Sequence, residues 1–422
     1  MSQKRFVMKN FGCKTNYADA QRLSLRLIKN GWTDASGANP PELCLVNSCS
    51  VTERSEKKVL KQALKFKKQY HAAKIVVCGC VSEVLRKNIQ AESGFDSIDA
   101  VLKDGIDEHP IFPEAAYPRY FLKIQNGCDN FCSYCIVPFL RGKPQSRGFS
   151  EIERELNDVV RESNPAEVVI SGTNVCSYKS AGLDLYELLC RISERYDFRI
   201  RISSLSLPFE KDFIKNISGI KNLCPHFAVP LESGSDRILK KMFRNYTVKQ
   251  YLESVSEIRT YFNDPAVTTD VMFGFPGEDE ADFEDSLRII QKVSFSKVHV
   301  FPYSPRDITL AGLYEGIPAR FMKLRKARIL RKVNETERKY KEKFIGHRLK
   351  VVVEEEKNGL FSGMSENYIK VLFRVRERSA GHPVPKGGMR CGDVVSVTVE
   401  KIEGNYALGR AEEILWKKTR KM

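Results

Sequence analysis

The 422 residues are enough for two to four domains, and 42% apolar content supplies real cores. No run of eighteen apolar residues occurs and Met1-Ser2-Gln3-Lys4-Arg5 leads into no apolar stretch, so the sequence predicts neither a membrane span nor a secretory signal. A net charge of +16 points to a polyanionic partner, and twelve cysteines predict metal work in a reducing compartment rather than a disulfide framework.

Residues 1–112 alternate strand-like and helix-like runs, which predicts a parallel sheet with covering helices. Strands are expected at Arg5 to Met8, Leu43 to Val46 and Ile75 to Val77, and helices at Ala18 to Asn30, Thr52 to Gln69 and Ser82 to Gln90. Each strand is followed by a cysteine: Cys13, Cys49 and Cys80. Loops beyond parallel strand ends build sites, so these three gather at one sheet edge. Three structural thiols fit the spacing equally well. The helix after Cys49 carries Lys57, Lys58, Lys61, Lys65, Lys67 and Lys68, a stripe suited to RNA. Pro110, Pro113 and Pro118 punctuate the end of the segment.

Residues 113–340 open with Cys128, Cys132 and Cys135 in a C-x3-C-x2-C array. A 4Fe-4S cubane has four irons and ordinarily four cysteine ligands, so three leave one iron open. Structural zinc prefers paired C-x2-C arms, and neither a second pair nor spaced histidines follow; an incidental or zinc-binding loop is the plainer alternative. Six strands are expected, at Tyr120 to Ile124, Glu167 to Ser171, Arg199 to Ser203, His226 to Pro230, Ala266 to Phe273 and Lys297 to Phe301. Six β/α units predict a partial barrel, a (β/α)6 arrangement whose chemistry gathers at the C-terminal strand ends. There Gly172, Thr173 and Asn174 allow close backbone approach and neutral hydrogen bonds, although an ordinary turn reads the same way. Ser203 and Ser204 offer hydroxyls, Glu232 and Asp270 carboxyls, and Gly274 to Glu278 a backbone loop. The other six cysteines (Cys44, Cys78, Cys176, Cys190, Cys224 and Cys391) read as inert, partly buried small hydrophobes.

Residues 341–418 follow a long connecting helix, Ile317 to Phe344. Arg320 to Lys350 holds thirteen Lys or Arg against three Glu; a solvated, salt-laced face is the plain reading and phosphate contact the functional one. Short runs at Arg348 to Glu354, Tyr368 to Val375, Asp393 to Lys401 and Ala407 to Ile414 alternate like antiparallel strands, with turn formers at Asn358-Gly359, Gly387-Gly388 and Glu403-Gly404-Asn405. A small five-stranded β-barrel follows, and such barrels often bind nucleic acid. A basic end, Lys417 to Lys421, adds to the positive charge.

The C-x3-C-x2-C array resembles the signature of radical S-adenosylmethionine enzymes. Combined with Cys13, Cys49 and Cys80, it resembles the methylthiotransferases, over nearly the whole chain from Lys4 to Leu415. The wording Cys135-Ile136-Val137-Pro138-Phe139-Leu140-Arg141-Gly142 and Gly12-Cys13-Lys14-Thr15-Asn16 is similar to the branch acting on N6-threonylcarbamoyladenosine in tRNA. The resemblance implies two 4Fe-4S clusters, one on Cys128, Cys132 and Cys135 and an auxiliary one on Cys13, Cys49 and Cys80. It implies a TRAM-like C-terminal barrel, S-adenosylmethionine held by Gly172, Thr173, Asn174, Ser203, Ser204, Glu232 and Asp270, and no catalytic side chain beyond the cluster ligands. A one-electron donor such as flavodoxin or ferredoxin, a tRNA partner, no membrane and a cytoplasmic setting belong to the same picture. Its chemistry is hydrogen abstraction from C2 of the modified adenosine at position 37 by a 5′-deoxyadenosyl radical, the auxiliary cluster carrying the sulfur and a second S-adenosylmethionine the methyl. The inert aromatic C–H offers no acidic proton to a general base. Two departures stand out: Glu232 where the family commonly has Gln, and Asp307-Ile308 where Pro-Gly is usual. The rival readings are a methylthiotransferase for isopentenyladenosine tRNA or for a ribosomal-protein aspartate, and a non-catalytic Fe–S RNA-binding protein.

Overall fold

The computed structural model describes residues 4–35, 40–82, 85–87, 97–98, 118–375 and 388–418. Most of the expected helix after Cys80, the residues flanking position 112 with Pro110 and Pro113, Gly387 and the end beyond Lys418 lie outside them.

The first segment is a five-stranded parallel sheet in the order β2-β1-β3-β4-β5. Its strands are β1 (Arg5–Asn10), β2 (Thr33–Asp34), β3 (Leu43–Ser48), β4 (Lys74–Gly79) and β5 (Ser97–Ile98). The β-branched and aliphatic interiors of β3 and β4 are buried against Val59, Ala63 and Phe66 of the helix Glu53–Gln69. Thr52 caps that helix by accepting from the Ser55 amide at 3.2 Å. The first helix begins at Lys14 rather than Ala18 and runs to Lys29, so Cys13 is its N-cap and its positive end faces the sheet edge.

The central segment holds the six expected strands, split between two sheets. One has the order β7-β6-β8-β9, from β6 (Arg119–Asn126), β7 (Gln145–Ser146), β8 (Glu167–Gly172) and β9 (Arg199–Ile202). The other has the order β10-β11-β12, from β10 (His226–Ala228), β11 (Ala266–Phe273) and β12 (Lys297–Pro302). An Ile200–Leu223 bridge links β9 toward β10, and all pairings except the short antiparallel β7 are parallel. One core runs under both sheets, from Leu122 and Ile170 through Phe227 to Phe295. A half-barrel of this kind has an open flank, and the helix Lys14–Lys29 lies against β6 and β8 there.

The last segment is a closed five-stranded barrel ordered β13-β14-β15-β17-β16. Its strands are β13 (Arg348–Lys357), β14 (Leu360–Ser365), β15 (Lys370–Val375), β16 (Val394–Glu403) and β17 (Tyr406–Trp416). β14 is the strand that the alternation in the sequence did not mark: Ser362 and Gly363 interrupt its apolar pattern. The connecting helix spans Ala319–Glu342. Much of its positive charge is spent internally: Arg325 meets Glu278 at 2.6 Å, Arg328 pairs with Glu280 and Glu284, and Lys341 pairs with Glu337. Lys323, Lys326, Arg331, Lys339 and Lys343 remain exposed. Among the described residues no helix is long and apolar enough to cross a membrane.

Candidate active site

Both cysteine sets sit at strand ends beside the mouth of the half-barrel. In the N-terminal sheet, Gly12 at φ +108 brings the chain so close to Cys49 that a Cβ on Gly12 would stand 2.8 Å from the Cys49 Cβ. Asn16 Oδ1 lies 3.7 Å from Cys13 Sγ and 3.6 Å from Cys80 Sγ. Cys13, Cys49 and Cys80 thus converge on one edge. Burial raises the Cys49 thiol, and raises Cys80 to about 11 with Arg141 pulling the other way.

The second set hangs on a loop leaving β6. Gly127 is left-handed at φ +79, and Lys143 backbone occupies the space a Cβ would need, so only glycine fits there. Ser133 fixes the loop from both sides: its amide donates to Met242 O at 3.1 Å, and its carbonyl accepts from the Ala311 amide at 2.8 Å. Burial raises the Cys128 thiol and pushes Cys135 up to about 12.

Two guanidiniums face these sulfurs. Arg141 Nε donates to Cys80 Sγ at 3.1 Å, while its other nitrogens reach Asn126 Oδ1, Asn16 Oδ1 and Asp19 Oδ2, each at 2.9 Å. Arg244 Nη1 donates to Cys132 Sγ at 3.4 Å. A chain that protonates its thiols has no need of cations at the sulfurs; thiolates of an anionic cluster do, so the donor set fits an Fe–S group. Among the described residues no three His, Cys, Asp or Glu side chains close on a point as a single-ion site would.

The expected cofactor residues divide into groups. Gly172, Thr173 and Asn174 lie against the cysteine loop: Thr173 Oγ1 accepts from the Gly127 amide at 3.2 Å, and the Asn174 amide donates to Gln125 Oε1 at 2.9 Å. Asn174 Oδ1 is buried without a protein partner, and its residue lines a cavity of ≈ 210 Å³ shared with Asn130, Cys176, Ser206 and Phe209. Thr15 Oγ1 donates to Gly172 O at 2.9 Å, tying the first helix to this strand end. Ser203 O accepts from Lys14 Nζ at 3.2 Å, and Ser204 is half-buried beyond it. Glu232 and Asp270 face the interior from neighbouring positions, the Glu232 amide donating to Asp270 O at 2.8 Å. The unusual Glu232 charge is answered by Arg244, 4.0 Å away, and by a hydrogen bond from Tyr134, although burial still raises its carboxyl. Burial and then Glu232 raise Asp270 to about 7.

Two expected elements serve as struts. The Gly274 amide is taken by Glu278 Oε2 at 2.6 Å, and Met322 fills the space over Gly274. Beyond β12, Arg306 Nη1 donates to Glu56 Oε2 at 2.8 Å, joining this loop to the N-terminal segment. Cys44, Cys78 and Cys224 are buried as expected, but Cys391 is exposed because it lies in the turn entering β16.

At the far end, Glu167 is fully buried and bound by Arg201 at 2.8 Å and Arg199 at 2.6 Å, with Arg119 at 3.8 Å. Arg201 also donates to Glu366 O and Ser365 O, at 2.9 Å each, on the C-terminal barrel. Tyr368 of that barrel stacks on His226 at 4.0 Å between ring centroids, and both Arg201 and Lys14 lie over its ring. Arg141, Arg244, Tyr134 and Tyr368 were not singled out for these roles by the sequence, because no local pattern marks a side chain whose partner lies on a distant element of the chain.

Residues 122–290 match the model of the Radical SAM superfamily, and residues 5–102 that of Uncharacterized protein family UPF0004. Over 430 residues the chain is 30% identical to the threonylcarbamoyladenosine tRNA methylthiotransferase MtaB of Thermotoga maritima, covering 95% of this chain and 98% of that one. The chain belongs to the radical S-adenosylmethionine methylthiotransferase family. Chlamydia pneumoniae MtaB is 32% identical, with 96% and 97% of the two chains covered. The tRNA-2-methylthio-N(6)-dimethylallyladenosine synthase of Endomicrobium trichonymphae is 31% identical, with 89% and 95% covered. A solved radical S-adenosylmethionine methyltransferase, TsrM from Kitasatospora setae with cobalamin and a [4Fe-4S] cluster bound, shares the fold at TM-score 0.51 and 13% identity, over 74% of this chain and 77% of that one.

Proposed function

We infer that the chain is a tRNA-modifying enzyme that methylthiolates C2 of N6-threonylcarbamoyladenosine at position 37 by radical S-adenosylmethionine chemistry. Full-length similarity to MtaB carries the reading. Residues 1–112 serve as the methylthiotransferase domain, 113–340 as the radical domain and 341–418 as a TRAM-like RNA-binding barrel. Cys128, Cys132 and Cys135 would hold one 4Fe-4S cluster, and Cys13, Cys49 and Cys80 a second. When bound, these groups and S-adenosylmethionine supply a hydrogen-abstracting radical and a transferable methylthio group.

The chain's own residues bind and aim. Arg141 and Arg244 stabilise negative charge on the sulfurs they face. Gly172, Thr173 and Asn174 present backbone and the unpartnered Oδ1 to the methionine end of S-adenosylmethionine; Ser203, Ser204, Glu232 and Asp270 line the remainder. Tyr134, packed edge-on against Phe275 at 6.4 Å, keeps water from the triad. The exposed lysines of the helices Glu53–Gln69 and Ala319–Glu342 read tRNA phosphates without sequence preference. A one-electron donor such as flavodoxin or ferredoxin completes the cycle in the cytoplasm.

The similarity to dimethylallyladenosine synthases supports a second reading in which the N6 substituent is a hydrocarbon. Nucleoside analysis of tRNA from cells with and without this chain separates the two. The 2-methylthio form of threonylcarbamoyladenosine should disappear with the chain; loss of the methylthio isopentenyl nucleoside instead reassigns the substrate, and methylthio label on a polypeptide defeats both.

A further inference from the structure

We propose that Lys14 determines substrate specificity, holding the carboxylate of an anionic N6 substituent on the target adenosine. The proposal rests on the tRNA reading above and supplies its physical basis for choosing among modified adenosines.

Lys14 directly follows Cys13 on the helix that closes the open flank of the half-barrel. Its Nζ donates to Ser203 O at 3.2 Å and lies 5.3 Å from the Tyr368 ring centre. It is surrounded by all three segments of the chain yet keeps accessible surface, as do Cys13, Asp270 and His299. That combination belongs to a group lining an open chamber rather than one packed in a core.

What Lys14 lacks is a carboxylate in contact; Glu167 and Asp270 act on it only from farther off. Among the described residues no carboxylate oxygen lies within 4.0 Å of its Nζ. Most other enclosed cations among the described residues have one: Arg141 has Asp19, Arg201 has Glu167, Arg306 has Glu56 and Arg325 has Glu278, while Lys418 Nζ at the chain's basic end is likewise buried without a partner. Enclosed charges are paired as a rule, so Lys14 marks a place where an anion is expected from outside.

The surroundings favour an anion as well. Glu167 is shared by Arg199 and Arg201, with Arg119 at 3.8 Å and itself paired with Glu354 at 2.6 Å. After desolvation, the causes that hold His226 neutral are positive neighbours, Arg201 and Lys14 foremost. His299 is lowered to about 4 by burial, Lys297 and Lys14. Asp270, which faces the same space, is raised to about 7 by burial and then by Glu232.

Position and chemistry agree. N6 and C2 of adenine sit on either side of the same ring nitrogen, so a base presenting C2 to the cysteine sets keeps its N6 substituent beside them. A threonylcarbamoyl group ends in a carboxylate, whereas a dimethylallyl group ends in methyls. The first satisfies the ammonium; the second leaves it unpaired in a less hydrated site. Sites built for a charged partner reject analogues that lack it.

The test compares tRNA bearing threonylcarbamoyladenosine with the same tRNA bearing its methyl ester, which removes the charge and adds one methyl group. The reconstituted wild-type chain should prefer the acid by roughly 10- to 100-fold in kcat/KM, the range of a charge-assisted hydrogen bond. Lys14→Met should abolish most of that preference by slowing the acid, and Lys14→Arg should restore part of it. Equal treatment of acid and ester by the wild type overturns the proposal even if the variant fails to fold. So does a Lys14→Met chain with normal iron content that slows both substrates equally. A wild-type chain that methylthiolates neither tRNA overturns the tRNA reading itself.

Discussion

Glu167→Gln isolates the charge of the carboxylate that anchors the C-terminal barrel, because the amide keeps the shape. In the native chain Glu167 accepts from Arg201 Nε and Nη2 at 2.8 Å and from Arg199 Nη2 at 2.6 Å. Arg201 is itself wholly buried, and both arginines donate onward to carbonyls of the barrel. Breaking a buried ion pair by removing one partner costs about 3–5 kcal/mol, since the other charge is stranded. The loss should concentrate at the junction. Trp416 reports there, packed with Ala166, Val352 and Val394, and the other tryptophan is Trp32 in the first sheet. In a Trp32→Phe background, denaturant melts followed by Trp416 fluorescence should move to lower urea by an amount worth about 3–5 kcal/mol. Adding Arg201→Met should recover part of the loss, because it removes the stranded charge. Its arginines hold the Glu167 carboxyl far below the usual range against the opposing effect of burial. A depressed folded value gives stability that is present above the unfolded value and lost only as pH falls through the folded one. The Gln effect should therefore be flat from pH 6 to 8. A Trp416 transition that stays within about 1 kcal/mol of wild type would refute the anchoring argument.

After anaerobic reconstitution the chain should hold about eight irons, and replacing Cys128, Cys132 and Cys135 together with Ala should leave about half by iron and sulfide analysis. Cys13→Ala should keep 5′-deoxyadenosine formation while methylthio product vanishes in a nucleoside assay; retained product would reduce the N-terminal trio to structural thiols. Asp270, with its folded value raised to about 7, adds stability at low pH that is lost as pH rises through that value. Asp270→Asn should thus be more stable than wild type at pH 8 and lose the pH dependence of thermal melting in that window. Charge-removing changes at exposed Lys323, Lys326 and Lys339 should each weaken tRNA binding alike for all sequences and lower the salt slope by about one, measured by filter binding at several salt concentrations.

The strands and the two cysteine sets were legible because their signals are local: apolar runs of β length, a fixed thiol spacing, a cysteine after each strand. The half-barrel could be counted for the same reason, its six strands each carrying its own apolar run. What was hidden depends on distant partners. Lys14, Arg141 and Arg244 look like ordinary surface charge in the sequence, and their partners Ser203, Cys80 and Cys132 lie far along the chain. The basic connecting helix is divided in a way its charge run does not show: Arg325 and Arg328 are claimed by Glu278, Glu280 and Glu284 of the half-barrel, while Lys323, Lys326 and Lys339 stay exposed. Glu232 looked anomalous only until Arg244 and Tyr134 were seen beside it.

Tyr368 touches Lys14 from the first segment and Arg201 and His226 from the second, while belonging to the third. The terminal barrel is therefore not a detachable handle for RNA. Its β14–β15 turn, held by Ser365 Oγ accepting from the Ile369 amide at 2.9 Å, supplies a wall of the proposed reaction chamber. Chimeras that exchange this barrel between relatives must carry residues 365–368 as a matched part with Lys14 and Arg201; a graft chosen for its RNA affinity alone would leave the chamber without that wall.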